Sequence, residues 1–125
     1  EAVLTGTSGV EVLSAARLSK EQTRARNKET LLEIINSTEL SDAQKQEAVD
    51  SMVRMTDIAE KEAAAEVLLQ AKGFQEAVVS INGDAVDVVI NAAELSDAQR
   101  AQIEDIVKRK TDIAAENIVI STIVQ

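Results

Sequence analysis

Residues 77–90, Ala-Val-Val-Ser-Ile-Asn-Gly-Asp-Ala-Val-Asp-Val-Val-Ile, decide the fold. Ala77, Val79 and Ile81 alternate with Val78 and Ser80, the period of two expected of a strand with one buried face. Asn82-Gly83-Asp84 follows, and Asn and Gly accept the positive φ that a tight hairpin turn needs. The return strand places Val86, Val88 and Ile90 on one face and Asp87 on the other. An antiparallel hairpin is the expected centre of the molecule.

Working outward, Glu94-Leu95-Ser96-Asp97-Ala98-Gln99 starts a helix that runs to about Lys110 and buries Ile103, Ile106 and Val107. Ile118 to Val124 is a β-branched run and reads as a third strand. A helix between the second and third strands requires a crossover, right-handed by the usual rule, so the sheet is mixed.

Upstream of the hairpin, Gly73 stands where the C′ glycine of a preceding helix belongs. That helix begins at Ser41, where Ser41 and Gln44 form a capping box and Asp42 favours the first turn. Its apolar residues Ala48, Met52, Met55, Ala59, Ala63 and Val67 recur at spacings of three and four. Asp57 with Glu60 is a second cap candidate, and predicts a bend or break near Thr56. Before it, residues 10–36 hold no Pro or Gly and predict a helix that packs at its ends, through Val12, Leu13 and Ala16 and then Leu31, Leu32, Ile34 and Ile35. Its polar middle is expected to be solvated. Residues 1–9 read as a flexible leader. The element order is helix, helix, strand, strand, helix, strand. It predicts an α+β fold, a three-stranded mixed sheet with helices on one face.

Composition narrows the chemistry. The 125 residues include one aromatic, Phe74, and no Trp, Tyr, His, Cys or Pro, so the core is aliphatic. Without His or Cys, the commonest general bases, nucleophiles and zinc ligands are missing. No catalytic, cofactor or metal site is expected. Asp84 and Asp87 beside Gly83 lack the dense oxygen spacing of a calcium loop, and turn chemistry accounts for them. Glu60, Glu62 and Glu66 share a helix with Lys61 and are expected on its solvated face.

The formal charge is −9 and the pI near 4.5, which disfavours phosphate backbones and anionic lipid. The charge is unevenly spread. Residues 17–29 carry Arg17, Lys20, Arg24, Arg26 and Lys28 against Glu21 and Glu29, a local +3 that leaves −12 elsewhere. Arg17, Lys20, Arg24 and Lys28 line one helix face. They are either an ordinary solvated face or a docking stripe for an acidic surface. The last strand, Ile118, Val119, Ile120, Ser121, Thr122 and Ile123, is the candidate partner-binding edge, because an edge strand's unpaired amides and carbonyls invite strand addition. No run of roughly 20 apolar residues is present to span a bilayer. The chain begins at Glu1 rather than Met, and is expected to be a piece of something longer.

Two segments also match without gaps. Residues 35–59 align with residues 90–114 at an offset of 55, sharing Glu-Leu-Ser-Asp-Ala-Gln and a distal Thr-Asp-Ile-Ala. Capping explains the first shared part. The second leaves duplication open beside convergence.

Three stretches carry a family resemblance: Leu68-Leu69-Gln70-Ala71-Lys72-Gly73-Phe74-Gln75-Glu76-Ala77-Val78-Val79, Glu29 to Asn36, and Ile103-Glu104-Asp105-Ile106-Val107. In order and spacing, roughly residues 14–122 resemble the stage III sporulation protein AH family of endospore-forming bacteria. The resemblance implies a single N-terminal transmembrane helix in the mother-cell membrane, absent from these residues. It further implies a domain between the mother-cell and forespore membranes with the ring-building αββαβ motif of flagellar and type III secretion basal-body proteins. The implied partner is the extracellular domain of stage II sporulation protein Q, with self-association into a ring, a channel across both membranes and help in engulfment. On this basis the chain divides into a leader (1–9), a helical extension (10–55) and a ring-building αββαβ domain (56–125). The alternatives are a basal-body ring component of a flagellar or type III secretion system, a KH-like nucleic-acid binder and a small carboxylate-based hydrolase. The KH-like reading lacks its GxxG clamp.

Overall fold

The computed structural model describes residues 9–123. Its elements are α1 (Gly9–Ile35), α2 (Asp42–Ala71), β1 (Val78–Asn82), β2 (Ala85–Ile90), α3 (Asp97–Thr111) and β3 (Ile118–Thr122), with one 3-10 turn at Ala115–Asn117 before β3. Of the expected leader, residues 1–8 lie outside the described residues, and Gly9 opens α1. Val124, expected at the end of the last strand, also lies outside them.

The helix starts follow from local chemistry. Ser41 and Ser96 each accept a hydrogen bond from the N3 amide, and Gln44 and Gln99 each accept one in turn from the cap N–H. Gly73 (φ +100°) is a C′ residue: its N–H donates to the Gln70 carbonyl (3.0 Å), and the Phe74 N–H to the Leu69 carbonyl (2.9 Å). That pair of bonds is the Schellman stop. In the hairpin the positive φ falls on Gly83 alone (+61°), while Asn82 stays in the ladder opposite Ala85.

β2 is the central strand, antiparallel to β1 and parallel to β3. Val79, Ile81, Val86, Val88 and Ile90 face a single helical layer. α2 contributes Ala65 and Leu69 to it, and α3 contributes Ile103, Ile106 and Val107. Asp87 and Val119 are exposed on the opposite face of the sheet. Replacing a fully buried residue such as Ile103 by Ala costs about 2–5 kcal/mol.

Three expectations need correction. α2 does not break near Thr56, because Asp57 forms an i,i+4 pair with Lys61 (3.2 Å) and the helix formers after it carry on. The division between 55 and 56 therefore falls inside one continuous helix. In the echoed segment the matching Asp112 does end its helix, as a C-cap in the left-handed region (φ +61°) whose N–H donates to the Lys108 carbonyl. Second, the apolar stripe of α2 is not one core face. Ala59, Ala63 and Val67 are exposed, and the sheet is met by Ile58, Glu62, Ala65 and Leu69. A 30-residue helix has room for two partners, α1 along one face and the sheet along another. Third, the middle of α1 is not simply solvated. Leu13 is buried at one end and Leu31, Ile34 and Ile35 are partly covered at the other, but between them three cations turn inward. α1 packs on α2 and on the β1 edge rather than extending away from them.

Candidate functional site

A three-stranded sheet has two edges, and this one treats them differently. Because β1 pairs with β2 through its even-numbered residues, the N–H and C=O groups of Ala77, Val79 and Ile81 point outward. Side chains claim them. Arg17 Nη2 donates to the Ala77 carbonyl at 2.7 Å, and Lys20 Nζ to the Val79 carbonyl at 2.7 Å. From the other side, Glu66 Oε2 accepts from the Val79 N–H at 2.8 Å and Glu62 Oε2 from the Ile81 N–H at 2.7 Å. The edge is closed by four charged side chains.

Those side chains also hold one another. Arg24 grips Glu62 with a two-pronged guanidinium, Nη1 to Oε1 and Nη2 to Oε2, the latter at 2.7 Å. Lys20 Nζ lies 3.3 Å from Glu62 and 3.8 Å from Glu66. Glu62 is only 2 % exposed. Burial alone would push its pKa up, but the Arg24 hydrogen bond, the Ile81 amide and the Lys20 and Arg24 charges outweigh it and hold the carboxyl below the usual range. Arg24 is held above its ordinary value, chiefly by its hydrogen bond to Glu62.

Glu62 is therefore not on a solvated face. It is buried because the Ile81 amide and two cations, Lys20 and Arg24, need an acceptor there. Local periodicity does not mark it. The signal in the sequence is the match between Arg17, Lys20 and Arg24 at helical spacing and Glu62 and Glu66 four residues apart. Of the candidate docking stripe, Arg17, Lys20 and Arg24 face inward on these partners, and Lys28 stays exposed. The stripe braces α1 to the sheet and to α2.

The other edge is open. Ile123 N–H donates to the Ile90 carbonyl at 3.0 Å, which puts the odd-numbered residues of the last strand on β2. The backbone groups of Ile120 and Thr122 consequently point away from the sheet. Ile118 points the same way, with its N–H held by the Ala115 carbonyl. Among the described residues, no hydrogen bond reaches the N–H of Ile120 or Thr122 from outside the sheet. Ile118 and Ile120 also pack their side chains on the core, while Val119 is 53 % exposed on the far face. The six candidate residues Ile118, Val119, Ile120, Ser121, Thr122 and Ile123 thus form or adjoin one open edge.

For other chemistry the geometry supplies little. Among the described residues no group of three or more acidic side chains is placed to hold a metal ion. No described helix is long and apolar enough to cross a membrane.

The family model described as SpoIIIAH-like protein matches residues 2–120. The chain belongs to this family. A curated relative, "Stage III sporulation protein AH" of Bacillus subtilis (strain 168), is 26 % identical over 108 residues, covering 86 % of the chain. The chain spans half the length of that relative. A solved structure, "Structure of the SpoIIQ-SpoIIIAH pore forming complex", superposes with a TM-score of 0.81 at 23 % identity. It covers 91 % of this chain and 98 % of its own. The shared fold includes the mixed sheet and the helices of the family's domain.

Proposed function

We propose that this chain is a non-catalytic assembly domain of a sporulation complex, acting by protein–protein contact between the mother-cell and forespore membranes. Its partner is the extracellular domain of a SpoIIQ-type protein, captured at the open edge of β3, and together they build a channel linking the two cells. The observation that carries this reading is the contrast between a β1 edge closed by Arg17, Lys20, Glu62 and Glu66 and a β3 edge left open at Ile120 and Thr122. An open, β-branched edge offers main-chain hydrogen bonds for affinity and alternate side chains for specificity. The family match supports it, and so does the name of the complex whose fold is shared. Both favour the sporulation reading over a flagellar or type III secretion ring component.

In this reading residues 56–125 are the ring-building domain and residues 10–55 the extension braced to it. Lateral contacts between copies use helix faces and the open face of the sheet around Asp87 and Val119. In the same reading the domain is held at the mother-cell membrane. The test is size-exclusion chromatography with light scattering, of the domain alone and mixed with the soluble domain of the SpoIIQ-type protein from the same organism. A complex larger than either component, lost on Ile120→Pro while the helical circular dichroism stays unchanged, is the expected result. A complex that forms equally well with Ile120→Pro excludes strand addition at β3.

A further inference from the structure

The brace over β1 is held differently from the core. Between its apolar ends, α1 reaches its neighbours mainly through the charged heads of Arg17, Lys20 and Arg24. Behind them a groove of about 460 Å³ separates the two helices, floored by Met52, Met55, Ala59 and Ala63. The cation side chains remain 18–34 % exposed, so salt screens them. What lifting the middle of α1 would uncover is the carbonyl side of the β1 edge, the Val79 and Ile81 amides keeping their α2 acceptors. The carbonyls of Ala77 and Val79 would lose their donors, and Glu62 and Glu66 would lose the cations that neutralise them on the Val79 and Ile81 amides.

A sheet with two bare edges is a hazard of a particular kind. The β3 edge of one copy can add to the β1 edge of the next. That contact is head-to-tail, uses different surfaces on the two copies, and so propagates rather than closing as a dimer. The natural remedies are charged side chains on an edge or a helix laid over it. Here the β1 edge has both, and the β3 edge has neither among the described residues.

We propose that α1 is an edge guard: by occupying the outer edge of β1 it prevents β3 of a second copy from adding there, and so reserves the domain's one open edge for a different protein. The proposal uses the same β3 edge as the partner reading, but its test contains only copies of this chain, so the two can fail separately. The triple variant Arg17→Ser/Lys20→Ser/Arg24→Ser releases the guard. Its mass by light scattering should rise with concentration to multiples of the 13.4 kDa chain. Adding Ile120→Pro to the triple variant should return it to a single copy, and Ile120→Pro alone should leave the mass of the unaltered chain unchanged. A folded triple variant that stays a single copy overturns the proposal, as does association that persists with Ile120→Pro. If the triple variant does not fold, hydrogen exchange on the unaltered chain decides. Raising the salt from 20 mM to 1 M should speed exchange at Val79 and Ile81 at least tenfold relative to Ile106, and equal rates would overturn the guard.

Discussion

The two edges of this sheet present the same backbone chemistry to their surroundings, and the molecule answers it in opposite ways. Along β1, every outward amide and carbonyl from Ala77 O to Ile81 N that could seed pairing has a charged side chain on it. Along β3, Ile120 and Thr122 point outward without such a partner among the described residues. The difference teaches that an edge is defined by what is laid over it more than by its strand. β1 and β3 are equally short at five residues and both rich in Val and Ile, so neither length nor propensity separates them.

The contrast breaks most visibly at Glu62. Glu62→Ala leaves Arg24 and the Ile81 amide unpaired in a covered site, and is expected to cost about 3–5 kcal/mol in urea unfolding. Glu62→Gln keeps an acceptor for the amide and should cost less, about 1–3 kcal/mol. Acid should act on the same group. A carboxyl whose folded pKa is depressed contributes stability that is fully present above its unfolded value, about 4.3, and is lost as pH falls through the folded pKa. The stability of the unaltered chain should therefore drop below about pH 4.3 more steeply than that of Glu62→Gln, as followed by urea titrations at stepped pH.

At the open edge the stability effects are smaller. Ile120→Pro removes an N–H that bonds nothing within the sheet, so it should cost about 1 kcal/mol, mainly from backbone restriction, while abolishing partner capture. Smallest of all is Lys28→Ala. Lys28 lies beyond the brace and is exposed, and the change should stay within about 0.5 kcal/mol with partner binding unaffected.

The parts of the fold that were legible from sequence are those decided within a few residues. Ser41 with Gln44, Ser96 with Gln99, Gly73 after its helix and Gly83 in its hairpin each act on neighbours, and the β2 alternation of Val86, Val88 and Ile90 needs only a period of two. The brace is of another kind. Arg24 and Glu62 are 38 residues apart, and Arg17 reaches Ala77 across 60, so no local pattern holds both partners. For that reason Glu62 looks like one more carboxylate on a charged helix, and the cationic stripe looks like a surface for something else. Asp57 shows a further limit. The matching Asp112 ends α3 as a left-handed C-cap, but at Asp57 itself Lys61 and the Ala-rich stretch that follows carry the helix on.

The central claim is that β3, and not β1, is the edge that binds. Hydrogen exchange of the domain, alone and saturated with the soluble domain of its SpoIIQ-type partner, tests it directly. The account predicts that the Ile120 and Thr122 amides become strongly protected in the complex, while Val79 and Ile81 keep the protection they already have. A stable complex that leaves Ile120 and Thr122 exchanging as fast as in the free domain would contradict it.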